Sequence, residues 1–271
     1  MLSQTAAVHG ISSQPEVWEK LWTHEPTDEK DDSLLARETS HPRWHLLRAE
    51  MESRIGPLSS LSALEMGSGR GDLSAILAGH GAGVTLLDAS GRALDQARRR
   101  FDRLRRRADF VRSDLFEPPK ECAGRFDVVL SSGVIEHFQG GDRTRAIEAH
   151  ARCARPGALV AISVPHAACP TYRLWKAYLE LRGWWPYGVE IPFSRREMRH
   201  RAEQAGLEAI KVCTLGFWQS VGDHLIRPLT GRRVDWSIHP SRYDAWLGGT
   251  LLLVGQAPQA GTRERRSTCE Y

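Results

Sequence analysis

Leu64-Glu65-Met66-Gly67-Ser68-Gly69-Arg70-Gly71-Asp72-Leu73 is the stretch from which the fold is read. A short apolar segment, residues 63–66, runs into three glycines at alternate positions. A helix-forming segment, 73–78, comes next, and Gly79 and Gly81 break it. The order is strand, glycine-rich turn, helix. Glycine lets a backbone approach a ligand closely, and a helix N-terminus carries N–H groups with no partner inside the helix.

The alternation continues downstream. Residues 83–87 form an apolar run ending at Asp88, and 93–104 read as an arginine-rich helix. Residues 108–111 read as a strand followed by Asp114, and 126–130 as a strand ending in Ser131-Ser132-Gly133. A helix over 143–153 and a strand over 158–164 complete the series. Short, nearly continuous apolar strands separated by helices mean a parallel sheet buried on both faces, with right-handed crossovers.

Upstream, 15–22 reads as a short helix with Val17, Trp18, Leu21 and Trp22 on one face. The acidic stretch 25–32 reads as a loop, and 44–55 as a helix stopped by Gly56-Pro57. After Pro165 the alternation pauses over 166–192, which carries Tyr172, Trp175, Tyr178, Trp184, Trp185 and Tyr187. Ser194 then reads as an N-cap, with Glu197 completing a capping box and a helix running to about Ala205. A strand is expected over 207–214, a long connection over 218–247 with Trp218, Trp236, Tyr243 and Trp246, and a last strand over 250–256. The expected organisation is an N-terminal extension with helices (1–57), a main domain (58–257) with aromatic-rich inserts at 166–192 and 218–247, and a disordered tail (258–271). Residues 1–14 are expected to be frayed.

Composition bounds the partners. At 271 residues, 41% hydrophobic and 26% charged, the chain reads as one soluble globular domain with insertions. Its longest apolar runs are strand-sized, far below the roughly 20 residues of a membrane span. The stretch from Met1 to Gly10 has neither a basic nor an apolar signal region, so the cytoplasm is the default compartment. Five cysteines without CxxC spacing argue against a disulfide framework or a structural zinc site. His41 and His45 are separated by Pro42 and make no metal motif. The net charge of +4 comes largely from arginines at 98–100 and 105–107, with only Phe101 beside them. They read as a solvated helix face, and no nucleic-acid partner is expected.

The strand ends carry the chemistry. The glycine turn is a nucleotide-binding turn, but it is not the dinucleotide fingerprint, because Asp72 stands where the last glycine of GxGxxG belongs. Glu65, two residues before Gly67, suits the ammonium of an amino-acid ligand better than a pyrophosphate. Asp88 is placed to accept hydrogen bonds from both ribose hydroxyls, each contributing about 1.5–3 kcal/mol to a charged acceptor. Asp114 is placed to accept from an adenine amino group, and Leu115 to pack on the ring.

These segments together resemble the class I S-adenosylmethionine-dependent methyltransferases. Glu65 to Gly71 is similar to the family's first motif, Asp88 to its ribose acid and Asp114 to its adenine-contacting acid. Val134-Ile135-Glu136-His137-Phe138 resembles the segment after strand four in small-molecule enzymes of the ubiquinone-biosynthesis type. The resemblance implies an α/β, Rossmann-like doubly wound sheet of seven strands, order 3-2-1-4-5-7-6, with strand seven antiparallel. It implies S-adenosyl-L-methionine as cofactor, held by Glu65, Gly67, Ser68, Gly69, Gly71, Asp88, Ala89, Asp114, Leu115 and Ser131. His137 and His166 are the candidate bases, and no metal is expected. The aromatic inserts lean toward a small-molecule acceptor of apolar or ring character. A nicotinamide-dependent oxidoreductase and a non-catalytic partner-binding protein of the same fold stand as alternatives. No Asn/Asp-Pro-Pro-Tyr/Phe segment comes after strand four, which argues against a nucleic-acid base as acceptor.

Overall fold

The computed structural model describes residues 15–232 and 241–259. The expectations for 1–14, for Trp236 and for the tail from 260 onward lie outside the described residues.

Three helices come first: α1 (Pro15–Leu21), α2 (Asp28–Ser40) and α3 (Pro42–Arg54). The alternating core continues as β1 (Ser62–Met66), α4 (Asp72–Gly79), β2 (Gly83–Asp88), α5 (Gly91–Arg103), β3 (Asp109–Arg112), β4 (Phe126–Ser132), α6 (Asp142–Cys153) and β5 (Ala154–Pro165). Then come α7 (Pro170–Leu181), α8 (Arg195–Gln204) and β6 (Glu208–Leu215). After β6 the chain forms α9 (Phe217–Val221), a π-helical turn (Gly222–Ile226) and α10 (Arg227–Thr230), then α11 (Asp244–Leu247) and β7 (Thr250–Gln256).

The strands form one seven-stranded sheet in the order β3-β2-β1-β4-β5-β7-β6, as the resemblance implied. β7 runs antiparallel to both its neighbours, and the other described pairs are parallel. Both faces are packed, which is why the strands read as unbroken apolar runs. Successive residues go to opposite sides: Leu251 and Leu253 of β7 join a core with α6 and α8, while Leu252 and Val254 join one with α3, α4 and α5. Trp44, Leu47 and Met51 of α3 belong to the second core.

Several elements differ from the expectation, among them the helices α7 and α9 to α11 that form within the segments read as connections. The acidic stretch read as a loop contributes the first turn of α2, capped by Thr27, whose Oγ1 accepts from the Lys30 N–H at 3.4 Å. The residue α2 turns inward is Asp31, so no apolar period marks the helix. Asp31 meets Arg100 (Nε–Oδ2 2.8 Å) and Arg103 (Nη2–Oδ2 2.7 Å). Arg100 is therefore not on a solvated face. It is 3% exposed, bonded also to Asp72 and the Arg70 carbonyl. The capping box at α8 forms by half: Ser194 Oγ accepts from the Glu197 N–H at 3.1 Å, but the Glu197 carboxylate turns to Arg143 and Arg201. No helix among the described residues is long and apolar enough to cross a membrane.

Candidate functional site

The parallel register of β2, β1 and β4 brings their carboxyl ends to one edge, and the glycine turn leaves β1 at that edge. Gly71 is the N-cap of α4 at φ +70, and a Cβ there would stand 2.3 Å from Leu86 Cδ2. Only glycine fits both the left-handed backbone and the space. The turn encloses a cavity of about 250 Å³. Ser68 lines it with a buried hydroxyl that has no protein partner, and Gly67 and Gly69 line it with backbone.

Two buried carboxylates face this cavity. Glu65 is 4% exposed, and one oxygen accepts from the Ser74 N–H at 2.9 Å in the first turn of α4. Burial pushes its pKa up to about 7. Asp88 closes β2, accepting from the Gly69 N–H and the Ser90 N–H, each at 2.8 Å. Burial raises its pKa, and these backbone donors oppose the rise. The Asp88–Gly69 bond ties the second strand end to the glycine turn. Ala89, Asp114 and Leu115 extend the same wall. Asp114 is exposed, with Oδ1 held by the Phe116 N–H at 2.7 Å, while Leu115 is buried.

His137 also reaches the cavity. Its Nδ1 lies 2.7 Å from the Val189 carbonyl, and Trp18 meets the ring edge-on at 4.6 Å. Burial lowers its pKa, so the ring is neutral at pH 7. Three expected residues do not line the cavity. Gly71 acts one step back, as the cap of α4. Ser131 is turned away by the pleat of β4, leaving Ser132 in the wall. His166 is 3% exposed and lies outside both cavities, with Nδ1 3.0 Å from the Gly248 carbonyl. It fastens the end of β5 to the start of β7.

Motif reading missed the residues that come from far away in sequence. Trp18 and Trp22 of the first helical segment cover the glycine turn; a Cβ on Gly69 would stand 2.8 Å from the Trp22 ring. Their i, i+4 spacing marked a helix face but not its target. Tyr187 and Val189 arrive from the first aromatic segment.

A second cavity, of about 300 Å³, adjoins the first. Glu38, Arg43, Ser132 and Gly133 line both. Arg43 is the partition: it pairs with Glu38 and donates to Ser132 Oγ and, at 2.9 Å, to Ser163 Oγ. Beyond it the lining is polar, with Tyr172, Gln219, Ser220, Asp223 and His224. Asp223 and His224 sit on the π-helical turn, a feature frequent at functional sites.

Glu136, His137 and Glu190 stand in the wall between the cavities, one ligand atom from each lying within 4.8 Å of the others. Among the described residues this is the one group spaced to hold a metal ion. Tyr172 Oη donates to Glu190. Glu136 is 1% exposed, and its Oε2 has no partner. Burial, together with the neighbouring Glu190 charge, holds its pKa well above the carboxylate range.

A sequence model of the methyltransferase-domain family matches residues 38–212. The ubiquinone biosynthesis O-methyltransferase of Aromatoleum aromaticum is 29% identical over 181 residues, 63% of this chain and 74% of that protein. Among solved structures, magnesium protoporphyrin IX methyltransferase from Synechocystis, with bound SAH, superposes with a TM-score of 0.56 at 16% identity. The match covers 89% of this chain and 92% of that one. Phosphoethanolamine N-methyltransferase 2 of Haemonchus contortus gives 0.57 at 19% identity, over 80% of this chain and 53% of that one. The family match spans the glycine turn, every strand end around the first cavity and the segment after β4, so the chain belongs to the methyltransferase-domain family and is a class I S-adenosylmethionine-dependent methyltransferase.

Proposed function

We propose that the first cavity holds S-adenosylmethionine and delivers its methyl group to a small-molecule acceptor entering from the side of the second cavity. The observation that carries this reading is the pair of buried carboxylates, Glu65 and Asp88, facing one cavity built on a glycine turn. The residues present fit the cofactor: a buried acid for the ammonium, a second for the ribose, Asp114 with Leu115 for the adenine, and a buried Ser68 hydroxyl awaiting a partner. The cofactor supplies an electrophilic methyl on a sulfonium. The chain supplies position, and positioning alone is worth up to roughly 7–11 kcal/mol in well-oriented reactions. Trp18 and Trp22 exclude water from the glycine turn. His137 is the candidate base, since a neutral imidazole accepts a proton and its Nδ1 is oriented by the Val189 carbonyl. His166 is too enclosed for that role.

The acceptor's ring or apolar character is supported by Tyr172 and Tyr187, which bring one ring to each cavity. A cytoplasmic setting is supported by four free cysteines among the described residues.

Calorimetric titration with S-adenosylmethionine, S-adenosylhomocysteine and NADH tests the cofactor assignment. Binding of both sulfur ligands and not NADH is expected. Failure of both sulfur ligands to bind would sink the assignment of the first cavity.

A further inference from the structure

The second cavity holds a buried acid, Glu136, that the cofactor reading leaves unused. Arg37 pairs with Asp223 at 3.0 Å, and Arg43 pairs with Glu38. Glu136 is the third carboxyl in the lining and the one of the three with no cation paired to it. None of the nearby cations bonds to Glu136: Arg43 pairs with Glu38, Ser132 and Ser163, Arg143 with Glu197 and the Ile191 carbonyl, and Lys176, beside Glu190, with Glu180. The lining also has two buried oxygens without partners, Glu136 Oε2 and Gln219 Oε1, and both accept once a cation holds Glu136 ionised. Buried polar groups are ordinarily hydrogen-bonded, so the cavity asks for a ligand that donates.

The geometry points to a binding subsite for a protonated amine in the second cavity, with Glu136 and Gln219 as its acceptors. It rests on the first cavity being the cofactor's, and it names the acceptor as a small molecule carrying an ammonium group. Charge favours an ammonium over a hydroxyl: a cation stabilises Glu136 in its ionised form against burial and the Glu190 charge, and a neutral hydroxyl does not. The Val189 bond takes up only Nδ1 of His137 and the Tyr172 bond leaves Glu190 a second oxygen, so Mg²⁺ and Zn²⁺ are the competing ligands and are titrated alongside the amine. An ammonium needs one carboxylate and neutral acceptors, which is what the cavity contains. The groups facing Glu136 are Glu190, His137 and Tyr172, with Arg43 and Arg143 beyond them.

The full chain, saturated with S-adenosylhomocysteine, is titrated with 2-phenylethylamine and with 2-phenylethanol as matched probes. The amine is expected to bind at least tenfold more tightly than the alcohol. Glu136→Gln should erase that preference while S-adenosylhomocysteine affinity stays within twofold. Gln219→Met, which leaves the buried acid in place, should weaken the amine about threefold and serves should the first variant not fold. Equal binding of the two probes, absence of amine binding, or a preference that survives the substitutions overturns the subsite. So does Mg²⁺ or Zn²⁺ binding that Glu136→Gln removes. Loss of S-adenosylhomocysteine binding by the unmodified chain would instead overturn the reading of the first cavity.

Discussion

The two cavities are built by different means. The first is made largely of backbone and strand-end residues: a glycine turn after β1, Asp88 after β2, Asp114 after β3 and Gly133 after β4. The second adds to the ends of β4, β5 and β7 a set of side chains delivered by α2, α3, α7, α9 and the turn between α9 and α10. A wall of backbone tolerates change in distant sequence but not in its glycines. A wall of paired side chains depends on every partner. The first cavity is thus fixed mainly by backbone, and the second is the part that substitution can retune.

The sharpest way to break this contrast is Arg43→Met. Removing one partner of a largely buried ion pair leaves the other charge uncompensated, and a loss of about 3 kcal/mol in denaturant unfolding is expected. A loss below about 1 kcal/mol, within the range of surface substitutions, would mean the partition is not held by Arg43. Gly71→Ala tests the backbone side. A left-handed φ and a 2.3 Å approach to Leu86 together should cost about 2 kcal/mol, read in the same experiment. An unchanged stability would show that the turn re-forms around a side chain.

Asp88→Ala should weaken S-adenosylmethionine binding at least tenfold, about 1.4 kcal/mol, by calorimetry on the folded variant. Unchanged affinity would remove the ribose role. The smallest expected effect is one of pH. Glu65 must be ionised to hold an ammonium, and its pKa in the ligand-free fold is about 7. Cofactor affinity should therefore be roughly tenfold weaker at pH 6 than at pH 8, the change in the ionised fraction across that interval. Glu65→Gln should flatten the profile, and a profile that stays steep would assign the titration to another group.

The core was legible because its signals are local. Each strand carries its own apolar run and each turn its own glycine or acid, so the order of β1 to β5 and the last strand, β7 (Thr250–Gln256), could be read along the chain. The helix α2 was not legible, because it is held by charge: Asp31 looks solvent-facing until Arg100 and Arg103 are set against it from 69 and 72 residues away. His166 looked chemical for a similar reason. A histidine after a strand end is ambiguous until its neighbour is known, and here the neighbour is a β7-side carbonyl.

Residue order along this chain placed the strands, the glycine turn and the acids at the strand ends, because a βα unit places its own turn at its own strand end; the order of strands in the sheet and the cofactor came with the family those motifs resemble. Which side of β4 carries Ser132 rather than Ser131, which histidine reaches a cavity, and how Arg43 and Glu136 come to face a second one depended on long-range packing. Those contacts join segments up to 186 residues apart, as between Arg37 and Asp223, and no local pattern encodes the partner of a charge that far away.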